Sequence, residues 1–191
     1  MKPLTYKIVV LGDIECGKSA LVKRFVRNEV VSTYDPTVED KYVKKFEFRG
    51  NPVLLEIVDT PGKELLPDML NRYIAFADAF VVCYSISSRR SFERAFDLFQ
   101  LIGQRRNVSQ IARVLVGCKC DSPMREIPSD EANNLSAHLQ CSFAETSATH
   151  ALNINEVFDE CISQLNYINL LRSNNSTQWN SSKGSNWCCF L

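Results

Sequence analysis

The stretch GDIECGKS at residues 12–19 decides the fold, because it stands between a β-rich run and a helical pattern. The run YKIVVLG at 6–12 precedes it, and Leu21, Val22 and Phe25 follow it at helical spacing. In the pattern GxxxxGK[ST], the backbone N–H groups of a tight turn surround phosphate groups, and the dipole of the next helix adds to the attraction. This stretch therefore predicts a strand, a phosphate-binding loop and a helix in succession.

Two side chains of this loop have predicted roles toward a nucleotide. Lys18 is placed to reach the β- and γ-phosphates, and the Ser19 hydroxyl to ligate Mg²⁺. The backbone around them is predicted to contact the nucleotide through Gly12, Asp13, Ile14, Glu15, Cys16, Gly17 and Ala20. The alternative is an ordinary strand-to-helix turn with an exposed lysine, which the flanking patterns disfavour.

Further β-rich runs alternate with helical patterns along the rest of the chain. Strands are predicted at 41–48, 53–59, 79–85, 112–118 and 142–145, and helices at about 18–28, 66–76, 89–106, 129–140 and 153–171. The turn Arg49-Gly50-Asn51-Pro52 joins the first two of these strands into an antiparallel hairpin. Such alternation is typical of an α/β domain whose sheet is mostly parallel, here six-stranded, with helices on both faces. The domain is predicted to span residues 1–171.

The composition excludes several classes of protein. The 191 residues are enough for one domain, and 22 basic residues balance 22 acidic ones, so there is no basic surface for nucleic acid. No apolar run approaches the roughly 20 residues that cross a bilayer. Eight cysteines then indicate free thiols of a reducing compartment.

Residues 172–191 contain no acid and nine Ser or Asn, which predicts a flexible tail. A monomer is expected.

Residues at the ends of later strands extend the phosphate site. The sequence DTPG at 59–62 ends a predicted strand, which places Asp59 toward the Mg²⁺ site and the Gly62 N–H toward the terminal phosphate. Both residues are therefore assigned to the nucleotide site.

Two more strand ends point to guanine as the base. The sequences CKCD at 118–121 and ETSA at 145–148 supply the base-binding candidates Cys118, Lys119, Asp121, Ser147 and Ala148. The Asp121 carboxylate accepts hydrogen bonds from guanine N1–H and N2–H₂, whereas adenine offers neither donor there. The Ala148 N–H is placed to donate to guanine O6. Each motif alone is weak, but their order on successive strand ends makes the combination specific.

With these motifs, the chain resembles the Ras subfamily of small GTPases over about residues 4–171. The resemblance implies a P-loop NTPase fold of Ras-like type and a switch between GTP and GDP forms. YDPTVED at 34–40 looks like the effector segment of that subfamily, with Thr37 as a further nucleotide and Mg²⁺ contact. The effector surface implied in this way consists of Tyr34, Asp35, Pro36, Thr37, Val38, Glu39, Asp40, Lys41 and Tyr42. Implied partners are effectors with Ras-binding-type domains, exchange factors and activating proteins, with a strand pairing against 39–46.

The residues assigned to GTP hydrolysis are Lys18, Gly62 and the residue after Gly62. Two departures from the subfamily concern this reaction. The position after Gly62 usually holds a glutamine that orients the attacking water, but here it is Lys63, which has no acceptor when charged. Ile14 replaces a glycine, and its side chain occupies the space into which an activating protein inserts an arginine. Slow intrinsic and assisted hydrolysis are therefore expected.

Two other departures concern the base. Cys118 replaces the asparagine of NKxD, and Val30 stands where an aromatic ring usually stacks on guanine. Losing a hydrogen-bond partner and a stacking contact each costs about 1–3 kcal/mol, which together corresponds to about 30- to 10,000-fold in affinity. The alternative is a compensated substitution, with the stem of Lys119 still covering the base.

These departures leave two functional hypotheses open. The first is a switch that binds GTP and GDP with Mg²⁺ and is biased toward the GTP form, a GTPase of impaired intrinsic activity. The second is a pseudo-GTPase, an interaction module that does not cycle. A P-loop kinase acting on a small molecule is disfavoured, because nothing resembles a substrate-binding lid.

The last four residues, CCFL at 188–191, fit the C-a-a-X pattern with Cys188 as the lipidated thiol, and Leu191 favours a geranylgeranyl group. The expected location is the cytoplasmic face of the plasma membrane or an endomembrane, in part cytosolic. Only Arg172 and Lys183 stand where a polybasic patch would be, so we expect weak or reversible anchoring.

Overall fold

The computed structural model describes residues 4–30, 39–62 and 67–181. The strands are β1 (Leu4–Gly12), β2 (Asp40–Phe48), β3 (Asn51–Asp59), β4 (Ala79–Ser85), β5 (Ala112–Cys118) and β6 (Ser142–Thr146). The helices are α1 (Lys18–Arg27), α2 (Pro67–Phe76), α3 (Arg89–Arg105), α4 (Ser129–Leu139) and α5 (Ile154–Ser181), with a 3₁₀ turn at Val108–Gln110. The predicted α/β fold is thereby confirmed.

The six strands form one sheet in the order β2-β3-β1-β4-β5-β6, in which only the β2–β3 pair is antiparallel. The hairpin turn is shorter than predicted, because β2 continues to Phe48 and β3 begins at Asn51. Arg49 and Gly50 both have positive φ, 50° and 77°. Two central residues of that kind match the twist of a tight hairpin, so Asn51 and Pro52 are free to pair as strand residues.

Two hydrophobic layers cover the faces of the sheet. On one face lie α1 and α5, whose Phe25 and Phe158 rings stack with centroids 3.7 Å apart. On the other face lie α2, α3 and α4. β4 and β5 are buried along their whole length, as expected for central strands with helices on both sides. This arrangement brings the carboxyl ends of the parallel strands to one edge, where the loops of the predicted site lie.

Helix α5 continues well beyond its predicted end at residue 171, through Ser181. It thus extends into the segment predicted as a flexible tail, and residues 172–181 are helical. An existing helix adds residues without a new nucleation step, which explains why a Ser- and Asn-rich segment can continue it. Within the described ranges, no helix has the length and apolar character of a membrane span.

Candidate nucleotide-binding site

The loop between β1 and α1 has the backbone geometry that a phosphate-binding turn requires. Gly17 precedes α1 and has φ 114°, a conformation in which a side chain would be strained. The Lys18 side chain is 5% exposed, and its Nζ donates to the backbone carbonyl of Asp13 at 2.7 Å. The ammonium group is therefore held over the loop and within the fold, although its charge makes burial costly.

Gly62 packs directly against this loop. A Cβ atom on Gly62 would lie 2.5 Å from Cα of Ile14 and 2.8 Å from Nζ of Lys18. These distances leave no room for a Cβ atom at position 62, so only glycine fits there. Gly62, Ile14 and Lys18 therefore converge at the place where the sequence predicts the terminal phosphate.

Asp59, the last residue of β3, is fully buried near Lys18 and Ser19. Burial raises the pKa of its carboxyl from 3.8 to about 6, while the Ser19 hydroxyl and the Lys18 ammonium group lower it. Neither carboxylate oxygen makes a hydrogen bond of ordinary geometry. A buried carboxylate of this kind is costly unless a cation offsets its charge, so Asp59 and Ser19 fit the oxygen-ligand chemistry of Mg²⁺.

Cys118 ends β5 and lies directly beneath the phosphate loop. A Cβ atom on Gly17 would lie 2.8 Å from the Cβ of Cys118. Cys118 is 3% exposed, and its thiol is hydrogen-bonded to neighbouring side chains. Hydrogen bonding from Cys83, then from Thr146, lowers the pKa of Cys118, and the shared hydrogen bond raises the pKa of Cys83. Cys83 belongs to none of the sequence motifs, yet it is the partner of the thiol that replaces the asparagine.

The two loops assigned to the base lie side by side. The Cys120 N–H donates to the Thr146 carbonyl at 3.0 Å, which joins the loop after β5 to that after β6. Nδ1 of His150 lies 3.7 Å from Oδ2 of Asp121 and 3.2 Å from Oγ of Ser147. His150, which the sequence analysis did not assign to the site, thus faces the carboxylate predicted to read guanine.

A charged cluster supports the second of these loops from below. Glu145 accepts hydrogen bonds from Arg125, with Nη2 to Oε2 at 2.8 Å, and from Ser129 Oγ at 2.8 Å. The Asn153 side chain donates to the Glu145 carbonyl at 2.8 Å. These contacts hold the start of ETSA in place, so Ser147 and Ala148 are presented on a rigid support.

Other assigned residues lie further from this centre. Val30 follows α1 and is 52% exposed, and Lys119 is exposed with φ 60°. Its positive φ directs the chain from β5 toward Asp121. An exposed Val30 presents a small apolar surface where stacking on a base requires a ring.

The described part of the effector surface lies at the start of β2, which is an edge strand. Glu39 accepts a hydrogen bond from the Tyr73 hydroxyl of α2 and pairs with Lys41 at 2.9 Å, contacts that lower its pKa. Asp40 is exposed, whereas Tyr42 is buried and donates its hydroxyl to Asp40 at 3.3 Å. The Tyr42 ring therefore supports this edge more than it presents a contact surface.

Several predicted residues lie outside the described ranges. They are Tyr34, Asp35, Pro36, Thr37 and Val38 of the effector segment, Lys63 after Gly62, and Cys188. Within the described ranges, no cluster of three or more His, Cys, Asp or Glu side chains is arranged to hold a metal ion.

One further residue reaches the phosphate loop without any signal in the sequence. Nε of Arg90, in the first turn of α3, lies 3.2 Å from Oδ2 of Asp13. Position 90 belongs to no recognised motif, and only the packing of α3 brings it there.

Comparison with known families agrees with this geometry. A family model described as Ras family matches residues 7–167, from within β1 to the middle of α5.

Proposed function

The chain belongs to the Ras family, which makes it a small GTP-binding protein of the switch type, and we propose that weak nucleotide retention and slow hydrolysis bias it toward the GTP form. The observation that carries this proposal is the position of Cys118. Its side chain lies against Gly17 and pairs with Cys83, so a thiol occupies the place from which an asparagine would connect the loops to the base. Exchange is then fast, and abundant cellular GTP replaces GDP.

The phosphates of the nucleotide are bound by the loop at residues 12–19. Lys18 supplies the positive charge for the β- and γ-phosphates, and the loop N–H groups supply the remaining donors. Mg²⁺, when bound, neutralises phosphate charge. Ser19 and Asp59 would hold it, and the resemblance to the family implies Thr37, which lies outside the described residues, as a third protein ligand. Coordination would also offset the cost of burying the Asp59 carboxylate.

Slow hydrolysis follows from two residues that the sequence assigns to the terminal phosphate, Lys63 and Ile14. Charged Lys63 has three donors and no acceptor, so it cannot orient a water for attack by accepting its proton. The Ile14 backbone lies against Gly62. We propose that the branched side chain at this position restricts the approach of an arginine from an activating protein. Both effects lengthen the lifetime of the GTP form.

Replacing Lys63 with glutamine tests this assignment. Because glutamine offers an acceptor and a donor to the attacking water, we expect Lys63→Gln to raise the single-turnover rate of GTP hydrolysis by about tenfold or more. The measurement is phosphate release from GTP-loaded full-length protein with Mg²⁺. Lys45→Gln, which makes the same change at an exposed position of β2, is the control and should leave the rate unchanged.

An unchanged rate in Lys63→Gln, or a wild-type rate equal to that of a typical Ras protein, would contradict the assignment. The second candidate function, the non-cycling interaction module, is favoured by Val30, which is 52% exposed and offers no ring to stack on a base. Purified protein that carries no guanine nucleotide and binds none would establish that candidate.

Partners and location follow from the same assignment. The family implies regulators and effectors in general, and we propose that effectors pair a strand with the edge of β2. We also propose a prenyl group on Cys188 that holds the protein weakly at the cytoplasmic face of a membrane. Mass spectrometry of protein from a eukaryotic host tests this, and an unmodified Cys188 would refute it.

A further inference from the structure

We propose that Arg90 is a charge-compensating residue of the phosphate loop, which pairs with Asp13 so that the loop can accept a polyphosphate. The proposal rests on the proposed function, because it concerns how this chain binds the phosphates of GTP and GDP. Arg90 is a positioning residue in this account and need not touch the nucleotide.

The loop GDIECGKS has an unfavourable charge for an anion site. It carries two acids, Asp13 and Glu15, against the single cation Lys18. Glu15 is exposed, so water and salt screen its charge. The Asp13 side chain is only 12% exposed and is screened much less. An uncompensated carboxylate within the loop would repel each phosphate group that binds there.

Arg90 is the residue that offsets this charge. Its Nε lies 3.2 Å from Oδ2 of Asp13, close enough for the guanidinium and the carboxylate to form an ion pair. The Arg90 side chain is 82% exposed, so the guanidinium keeps most of its hydration while it neutralises a largely buried carboxylate. Water and salt also screen this exposed cation, so the pair reduces the repulsion without removing it, at a small desolvation cost.

The Asp13 backbone is held by a different contact. Lys18 Nζ donates to its carbonyl oxygen at 2.7 Å, and β1 ends one residue earlier at Gly12. The loop thus keeps an anchor when Arg90 is replaced. Replacing Arg90 mainly removes a positive charge near Asp13. The resulting loss of nucleotide affinity should therefore grow with the negative charge of the nucleotide.

The experiment compares GMP, GDP and GTP on the full chain, by competition against a fluorescent GDP in EDTA so that each nucleotide keeps its full charge. We expect Arg90→Gln to weaken GTP binding about two- to fivefold more than GMP binding, with GDP between them. Asp13→Asn in the same chain removes the repelling carboxylate, so the double variant should recover most of the lost GTP affinity. Thermal unfolding of each variant checks that the fold is kept.

Arg89→Gln is the matched control. Arg89 adjoins Arg90 in α3, but its guanidinium pairs with Glu131 of α4, with Nη2 to Oε2 at 3.0 Å. Its replacement changes the net charge equally and should affect the three nucleotides alike.

Two results would overturn the inference alone: equal losses of GMP, GDP and GTP affinity in Arg90→Gln, or no recovery in the double variant. A wild-type chain that binds none of the three nucleotides would overturn the proposed function together with this inference, and so the two failures are distinguishable.

Discussion

Replacing Lys18 with alanine is expected to weaken GTP binding by about 150- to 5,000-fold, because truncating one partner of a buried charge pair costs about 3–5 kcal/mol. Lys18 is the single cation of the loop, is 5% exposed, and is held over the loop by the Asp13 carbonyl. Its charge is therefore little screened by water and acts at full strength on the phosphates. The dissociation constants of GTP and GDP, measured by titration of nucleotide-free protein with Mg²⁺, test the prediction.

The control for Lys18→Ala is Lys45→Ala, which removes one positive charge from an exposed position of β2. It should leave both dissociation constants unchanged. If Lys18→Ala bound GTP as tightly as the wild type, the phosphates would have to bind elsewhere on the protein, and the assignment of the loop would be wrong.

Restoring the base contacts is expected to strengthen nucleotide binding by about as much as Lys18→Ala weakens it. In Cys118→Asn/Val30→Phe, the asparagine regains a hydrogen-bond partner and the phenylalanine a stacking surface, each contributing about 1–3 kcal/mol. The release of bound GDP should therefore slow by about 30- to 10,000-fold. Release of a fluorescent GDP analogue after addition of excess GDP measures the rate.

The structure separates the two contributions. Cys118 is buried against Gly17, so the Cys118→Asn substitution must displace the thiol contact with Cys83, whereas Val30 is exposed and its replacement meets little resistance. Because both side chains are assigned to the same base, the two single variants and the double variant form a cycle that measures their coupling. Cys120→Asn is the control in the same loop, since Cys120 is only partly buried and contacts Thr146 through its backbone. Unchanged release in the double variant, with the fold kept, would show that the departures are already compensated.

These two results together would define the state of the switch. If binding depends on Lys18 but release is fast, the protein exchanges nucleotide without assistance. Slow hydrolysis through Lys63 would then keep most molecules in the GTP form, because the populations follow the relative rates of loading and hydrolysis. Signalling would be governed by the amount and location of the protein more than by its regulators.

Local patterns were sufficient to predict the architecture. The β-rich runs of β4 and β5 are apolar along their whole length, as central strands must be, and their predicted bounds match the structure. The phosphate loop was predictable because its glycines, Lys18 and Ser19 are adjacent in sequence. The hairpin turn and the end of α5 were not, because pairing of Asn51 and continuation of a formed helix depend on neighbours that a local pattern does not contain.

The sequence by itself determined the fold class, the phosphate loop and the strand-end motifs, since each depends on residue types at short spacing. Only the tertiary structure decided which distant side chains meet. It places Arg90 of α3 on Asp13, His150 on Asp121, and Cys83 on Cys118 beneath Gly17. It also raises the pKa of Asp59 through burial. Contacts and burial of this kind arise when helices pack on a sheet, because packing depends on the whole set of apolar surfaces and not on any one segment.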